Sequence, residues 1–150
     1  MAHPYYESFT LIERLHRHFL DVLKVELDRS GIVDVNNIQA LILYNMGGDE
    51  MTVGELTVRG HYLGSNVSYN VKKLVENGYL LQERSLHDKR AIRLKQTEKS
   101  ANLRRVLSDA FQRHVGHLNS STVGEDELGK LNEALKKLER FWTSALTQGM

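Results

Sequence analysis

Cysteine is absent from the 150 residues, which excludes disulfides, thiolate metal sites, a cysteine nucleophile and a cysteine-based redox switch. The only proline is Pro4, so no later helix is interrupted by one. No apolar run approaches the roughly 20 residues that span a bilayer. Met1 to Tyr6 carry neither the basic nor the apolar region of a secretory leader. The expectation is a cytoplasmic protein with no membrane partner. Net charge is also scarce: the formal value is +1, which by itself points to no polyanionic partner.

What is present is an ordinary folding composition, 41% hydrophobic and 26% charged, outside the range of disordered chains. The length predicts a single domain over 1–150, large enough to bury a core without staples. The charge is unevenly spread. From Gly64 to Arg105 ten basic residues face four acidic ones, a net of +6, whereas Met1 to Leu63 carries five basic and nine acidic residues, a net of −4. A basic block between acidic or neutral flanks is an electrostatic footprint for phosphate, although a solvated charged face has the same composition.

Between Ser8 and Leu27 the residues Phe9, Ile12, Leu15, Phe19, Leu23 and Leu27 recur at three- and four-residue steps, which predicts a long amphipathic helix ended by Gly31. Asp34 is placed to cap a second helix with Ile38, Leu41 and Ile42 inward and Gly47-Gly48 as its stop. Thr52 and Glu55 have capping-box spacing and predict a short third helix carrying Val53 and Leu56, ending near Gly60. Ser65 or Asn66 then caps a fourth, with Val67, Val71 and Leu74 inward and Gly78 at its end. From Tyr79 the period changes to that of two strands, Tyr79 to Arg84 and Ala91 to Lys95, around a charged tip. The C-terminal third is helical again, with stripes on either side of a break at Asn119 to Gly124. The order implies a mainly α fold with a small β-hairpin wing (α+β), a winged helix-turn-helix flanked by N- and C-terminal helices.

The fourth helix and the hairpin tip are the candidate site. With the apolar positions inward, Ser65, Asn66, Ser68, Tyr69, Lys72 and Lys73 remain on the other side. Hydroxyls and amides suit base edges in the major groove of double-stranded DNA, and lysines suit its phosphates. Asp88-Lys89-Arg90 stands at the tip, where an arginine can enter the minor groove and an aspartate two residues earlier can orient its guanidinium. Leu128, Leu131, Leu135, Leu138 and Trp142 form a seam on the last helix, more apolar surface than a small core uses, which predicts a homodimer.

Other chemistry is weakly signalled. His16 and His18 point to different sides of a helix, and His114 and His117 could chelate but have no third ligand by spacing, so no metal or cofactor is expected. No Gly-x-Ser-x-Gly elbow is present, and Gly47-Gly48 lacks the lysine of a phosphate loop. The chain is not expected to be an enzyme.

The stretch from Met51 to Ser100 resembles the DNA-binding core of the MarR family of bacterial regulators. The resemblance is carried by Leu56, Leu74, Glu76-Asn77-Gly78-Tyr79-Leu80, Arg84, Asp88-Lys89-Arg90, and Leu94 leading to Thr97-Glu98-Lys99. It implies that 34–100 is the DNA-binding core, with Asp88 and Arg90 matching the wing motif. It also implies dimerisation helices at 5–30 and 101–148, a pseudo-palindromic operator, and frequent release by a small-molecule effector. An effector pocket where these parts meet would be lined by His16, Phe19, Tyr62 and Phe111. The chain departs from the family pattern at Tyr69, often basic, at Asn70, commonly leucine, and at Ser100, usually glycine, the last without expected consequence at a helix start. Three functions compete: a dimeric sequence-specific regulator, a winged-helix protein-interaction module that does not read DNA, and a small metal-dependent enzyme.

Overall fold

The computed structural model describes residues 2–60, 64–84 and 91–149, with backbone alone for Gly64 and Ser65. Six helices and three short strands occur among them: α1 (Pro4–Arg29), α2 (Asn37–Met46), β1 (Met51–Thr52), α3 (Val53–Gly60), α4 (Gly64–Glu76), β2 (Leu80–Arg84), β3 (Ile92–Gln96), α5 (Glu98–His117) and α6 (Glu125–Gln148). The strands form one antiparallel sheet in the order β1-β3-β2. The mainly α architecture with a hairpin wing is therefore the one the periodicities predict. The chain divides into two compact units, Met1–Ala110 and Phe111–Met150.

The boundaries differ from expectation where a side chain bonds elsewhere. Asp34 does not cap α2. Asn36 does, accepting from the Gln39 amide at 2.8 Å, while Gln39 Oε1 accepts from the Asn36 N–H at 3.1 Å, a reciprocal capping box. Ala40, Ile42, Leu43 and Met46 form the buried face: Ile42 is inward as expected, Leu41 is half-buried and Ile38 is exposed. At the other end Gly47 adopts φ +61°, and the Gln96 side-chain amide donates to the carbonyls of Leu43 and Gly47. Thr52 does cap α3, accepting from the Glu55 N–H at 3.0 Å. The two-residue strand β1, pairing Met51 with Leu94 and Thr52 with Arg93, has too short a pattern to announce itself.

α1 begins at Pro4, with the His3 imidazole accepting from the Tyr5 N–H at 3.1 Å. Only its C-terminal part is embedded: Leu23 and Leu27 are buried, while Tyr6, Leu15, Phe19, Val22 and Val25 stand exposed. α5 begins under Ser100, which is fully buried and donates from Oγ to Gln96 Oε1. Serine at that place thus has a role that glycine could not fill. In the second unit α6 follows Gly124, and Glu125, Asp126 and Glu127 favour its positive N-terminal end.

Candidate nucleic-acid interface

α4 is held by one face and presents the other. Val67, Val71 and Leu74 are buried at 2% exposure or less, and burying each contributes about 1.5–3 kcal/mol. The C-terminus closes in a Schellman motif: the Tyr79 N–H donates to Leu74 O at 2.9 Å, and the Gly78 N–H donates to Val75 O at 3.1 Å. Gly78 sits at φ +80°, the left-handed conformation this motif requires. The helix starts at Gly64, so Ser65 and Asn66 lie inside it and are not its caps.

On the outward face Asn66, Ser68, Tyr69 and Lys72 are exposed. Lys73 is partly occupied along the helix, with Nζ 3.5 Å from Glu76 Oε2 and 5.9 Å from the Tyr69 ring centre. Lys72 makes no ion pair among the described residues.

The wing pairs β2 with β3 from Leu80↔Gln96 to Arg84↔Ile92. Asp88, Lys89 and Arg90 lie outside the described residues, between these strands in sequence. The basic block proves to be heavily countered. Arg93 Nε and Lys95 Nζ lie 3.7 and 3.5 Å from the Glu50 carboxylate, Lys99 Nζ lies 2.5 Å from Asp34, and Arg105 lies 3.7 Å from Glu98. Glu50 and Asp34 come from the acidic first part of the chain, so the count along the sequence overstates the charge the fold presents. Among the described residues of the block, Lys72, Arg84 and Arg104 stand outside ion pairs, and Arg104 Nε is buried without a hydrogen-bond partner.

Between α4 and the wing lies an open groove of about 520 Å³, lined by Thr52 and Gly54 at the start of α3, Ser68 on α4, and Gln82 and Ile92 on the strands. Sequence reasoning missed Thr52 and Gln82 as members of this surface. The strand alternation could have found Gln82, an exposed polar residue opposite buried Leu94.

The remaining sequence candidates fall on several elements of both units or outside the described residues. His16 and Phe19 sit on the exposed face of α1, Tyr62 lies outside the described residues, and Phe111 opens the second unit. On α6 Leu131 and Leu135 are exposed, Leu128, Leu138 and Trp142 are partly so, and no residue of the helix is buried. Among the described residues no group of three or more histidine, aspartate or glutamate side chains could hold a metal, and no helix is long and apolar enough to cross a membrane.

A sequence profile of the MarR family matches residues 33–91. The exopolysaccharide II synthesis transcriptional activator ExpG of Rhizobium meliloti (strain 1021) is 34% identical over 146 residues, covering 97% of this chain and 75% of its own length. The chain belongs to the MarR family. Solved structures share its fold. Streptococcus pneumoniae FabT in complex with DNA superposes with a TM-score of 0.73 at 19% identity, covering 93% of this chain and 98% of that one. Staphylococcus aureus MarR in complex with salicylate and kanamycin gives 0.72 at 21% identity, with 93% of each chain covered. In this MarR chain the family segment contains α2, β1, α3, α4 and β2, the elements that build the outward face of α4 and one strand of the wing.

Proposed function

We propose that this MarR protein is a homodimeric, sequence-specific DNA-binding transcriptional regulator that acts in the cytoplasm without catalysis. The observation that carries the reading is the division of α4: one face locked in the core, the other offering Asn66, Ser68, Tyr69 and Lys72 beside a two-stranded wing. Helix width and groove width match, so the outward side chains enter the major groove, with amide and hydroxyl groups at base edges and Lys72 on phosphate. Arg90, on the connection between the wing strands, enters the adjacent minor groove, with Asp88 orienting it. The groove between α4 and the wing, with Ser68 and Gln82 on its walls, takes the sugar-phosphate strand that separates the two.

Dimerisation is supported by exposed apolar side chains on α1 and α6, Leu15 and Val22 on one and Leu131 and Leu135 on the other. A twofold axis repeats α4 at about 34 Å, one turn of DNA, and gives the operator its pseudo-palindrome. A small-molecule effector that releases the DNA completes the reading.

Selection of bound fragments from random DNA, followed by binding at several salt concentrations, tests it. The expected outcome is a pair of half-sites about one helical turn apart, with affinity falling steeply as salt rises. No fragment preference and a flat salt response would sink the reading and favour a protein-interaction module.

A further inference from the structure

We propose that the buried amide pair Gln39–Asn70 is a positioning device that fixes the rotation of α4 about its own axis, and through it the protein's discrimination between DNA sequences. The inference rests on the DNA-binding reading above. Asn70 lies in the middle of the inward stripe of α4, flanked by Val67, Val71 and Leu74, and is only 8% exposed; Gln39 on α2 is 6% exposed. Gln39 Nε2 donates to Asn70 Oδ1 at 3.2 Å. The direction of this bond is determined by the capping box. Gln39 Oε1 is engaged by the Asn36 N–H, so only its Nε2 remains for Asn70, which must answer with its oxygen.

The helix at the other end of the bond is a firm reference. α2 is capped by Asn36, tied to α1 by Asn37 Nδ2 donating to Leu20 O at 3.0 Å, and closed at its C-terminus by Gln96. A hydrogen bond from α2 into the centre of α4 therefore references the outward face to the rest of the unit. Valine and leucine contacts cannot do this alone, because apolar burial is non-directional. A helix is about 5–6 Å in radius with side chains, so a rotation of about 10° moves a side-chain tip by about 1 Å. That displacement spans the whole useful range of a hydrogen bond. An apolar pair at this place would serve stability as well or better. The polar pair contributes direction, and direction is what the neighbouring Ser68 and Tyr69 need at base edges.

The test compares the full-length parent with Gln39→Met/Asn70→Leu, Asn36→Ala and Asn70→Asp. Each is measured for thermal midpoint, for salt slope, and for affinity to the selected operator against its single-base-pair variants. The double variant should keep the midpoint and the salt slope while its discrimination ratio falls about tenfold, the size of one good base contact. Asn36→Ala removes only the side-chain half of the capping box, leaves the backbone N–H at position 36 to hold Gln39 Oε1, and should leave the ratio unchanged. Asn70→Asp keeps an acceptor for Gln39 and should weaken binding to all sequences alike at an unchanged ratio, which holds the idea open to refutation if the double variant does not fold. An undiminished ratio in the double variant overturns the inference, as does an equal loss in Asn36→Ala or Asn70→Asp. A parent that prefers no sequence overturns the DNA-reading proposal itself, and this inference with it.

Discussion

The Tyr79 hydroxyl donates to Asp34 Oδ1 at 2.6 Å, and Lys99 Nζ takes the other carboxylate oxygen at 2.5 Å while lying 4.6 Å over the Tyr79 ring. Asn77 joins the cluster by donating from Nδ2 to Asp34 O and accepting from Lys99 at its carbonyl. The loop before α2, the base of the wing and the first turn of α5 therefore meet on one carboxylate. Burial pushes the Asp34 carboxyl up, but the Lys99 ammonium and the Tyr79 hydroxyl outweigh it and leave the group below the usual aspartate range. Tyr79, desolvated and facing that carboxylate, is held protonated well above the ordinary phenol range.

A depressed carboxyl in the folded state contributes stability above its unfolded value near 3.8 and loses that contribution as pH falls through the folded one. Asp34→Asn is expected to lower the melting midpoint at pH 7 by a few degrees. The site is partly exposed, so the effect is on the order of 0.2–1 kcal/mol after screening. The gap between parent and variant should hold above the unfolded value of 3.8 and shrink as pH falls below it. Circular-dichroism melts on either side of that value check it, and a gap that widens in acid contradicts the assignment.

Lys72 and Lys73 are neighbours in sequence but unequal in the fold, since Glu76 and the Tyr69 ring engage only the second. Lys72→Ala should weaken all DNA sequences alike and reduce the salt slope by about one. Lys73→Ala should do less on both counts. Fluorescence anisotropy over a salt series separates them, and a larger slope change at Lys73 would reverse the assignment.

Glu50 holds Arg93 and Lys95 of β3 in ion pairs. Glu50→Gln frees both cations, so non-specific affinity should rise about two- to tenfold at low salt, with a steeper salt dependence. Unchanged binding at low ionic strength would show that these cations lie away from the DNA.

Arg90→Ala should weaken operator binding by about 1–3 kcal/mol, mostly at minor-groove positions. Competition with operators altered only at those positions measures it. A uniform loss over all sequences would make Arg90 a phosphate contact.

Gly78→Ala tests the close of α4. A Cβ there meets only Lys99 Cδ at 4.0 Å, so space is available, and the penalty is the φ of +80°. The expected loss is about 1–2 kcal/mol, or about 2–8 °C in melting midpoint. Calorimetry showing no loss would place the strain elsewhere.

How much of this was legible in the sequence depended on whether a residue acts locally. Thr52 and Gly78 signal through spacing of three and through punctuation, and the fold uses both as read. Asp34 misled because its partners, Tyr79 and Lys99, are 45 and 65 residues away. Local capping grammar has no term for them. Ser100 was dismissed for the same reason: its bond to Gln96 matters because Gln96 also reaches α2. The outward face of α4 was recoverable from helical period alone, whereas the neutralisation of the basic strand by Glu50 required the β1–β3 pairing.

The Schellman close of α4 takes the backbone N–H of Tyr79, and the first wing strand opens at the next residue. No slack joins the rod to the hairpin. On the DNA-binding reading proposed above, the placement of α4 relative to the base of the wing, and so the span between the contacts that the two make, is set before DNA arrives, as in calipers with a fixed jaw. Inserting a single base pair between those two contacts should be tolerated far less well than inserting one at the operator's centre of symmetry, where only the pairing of two subunits has to give.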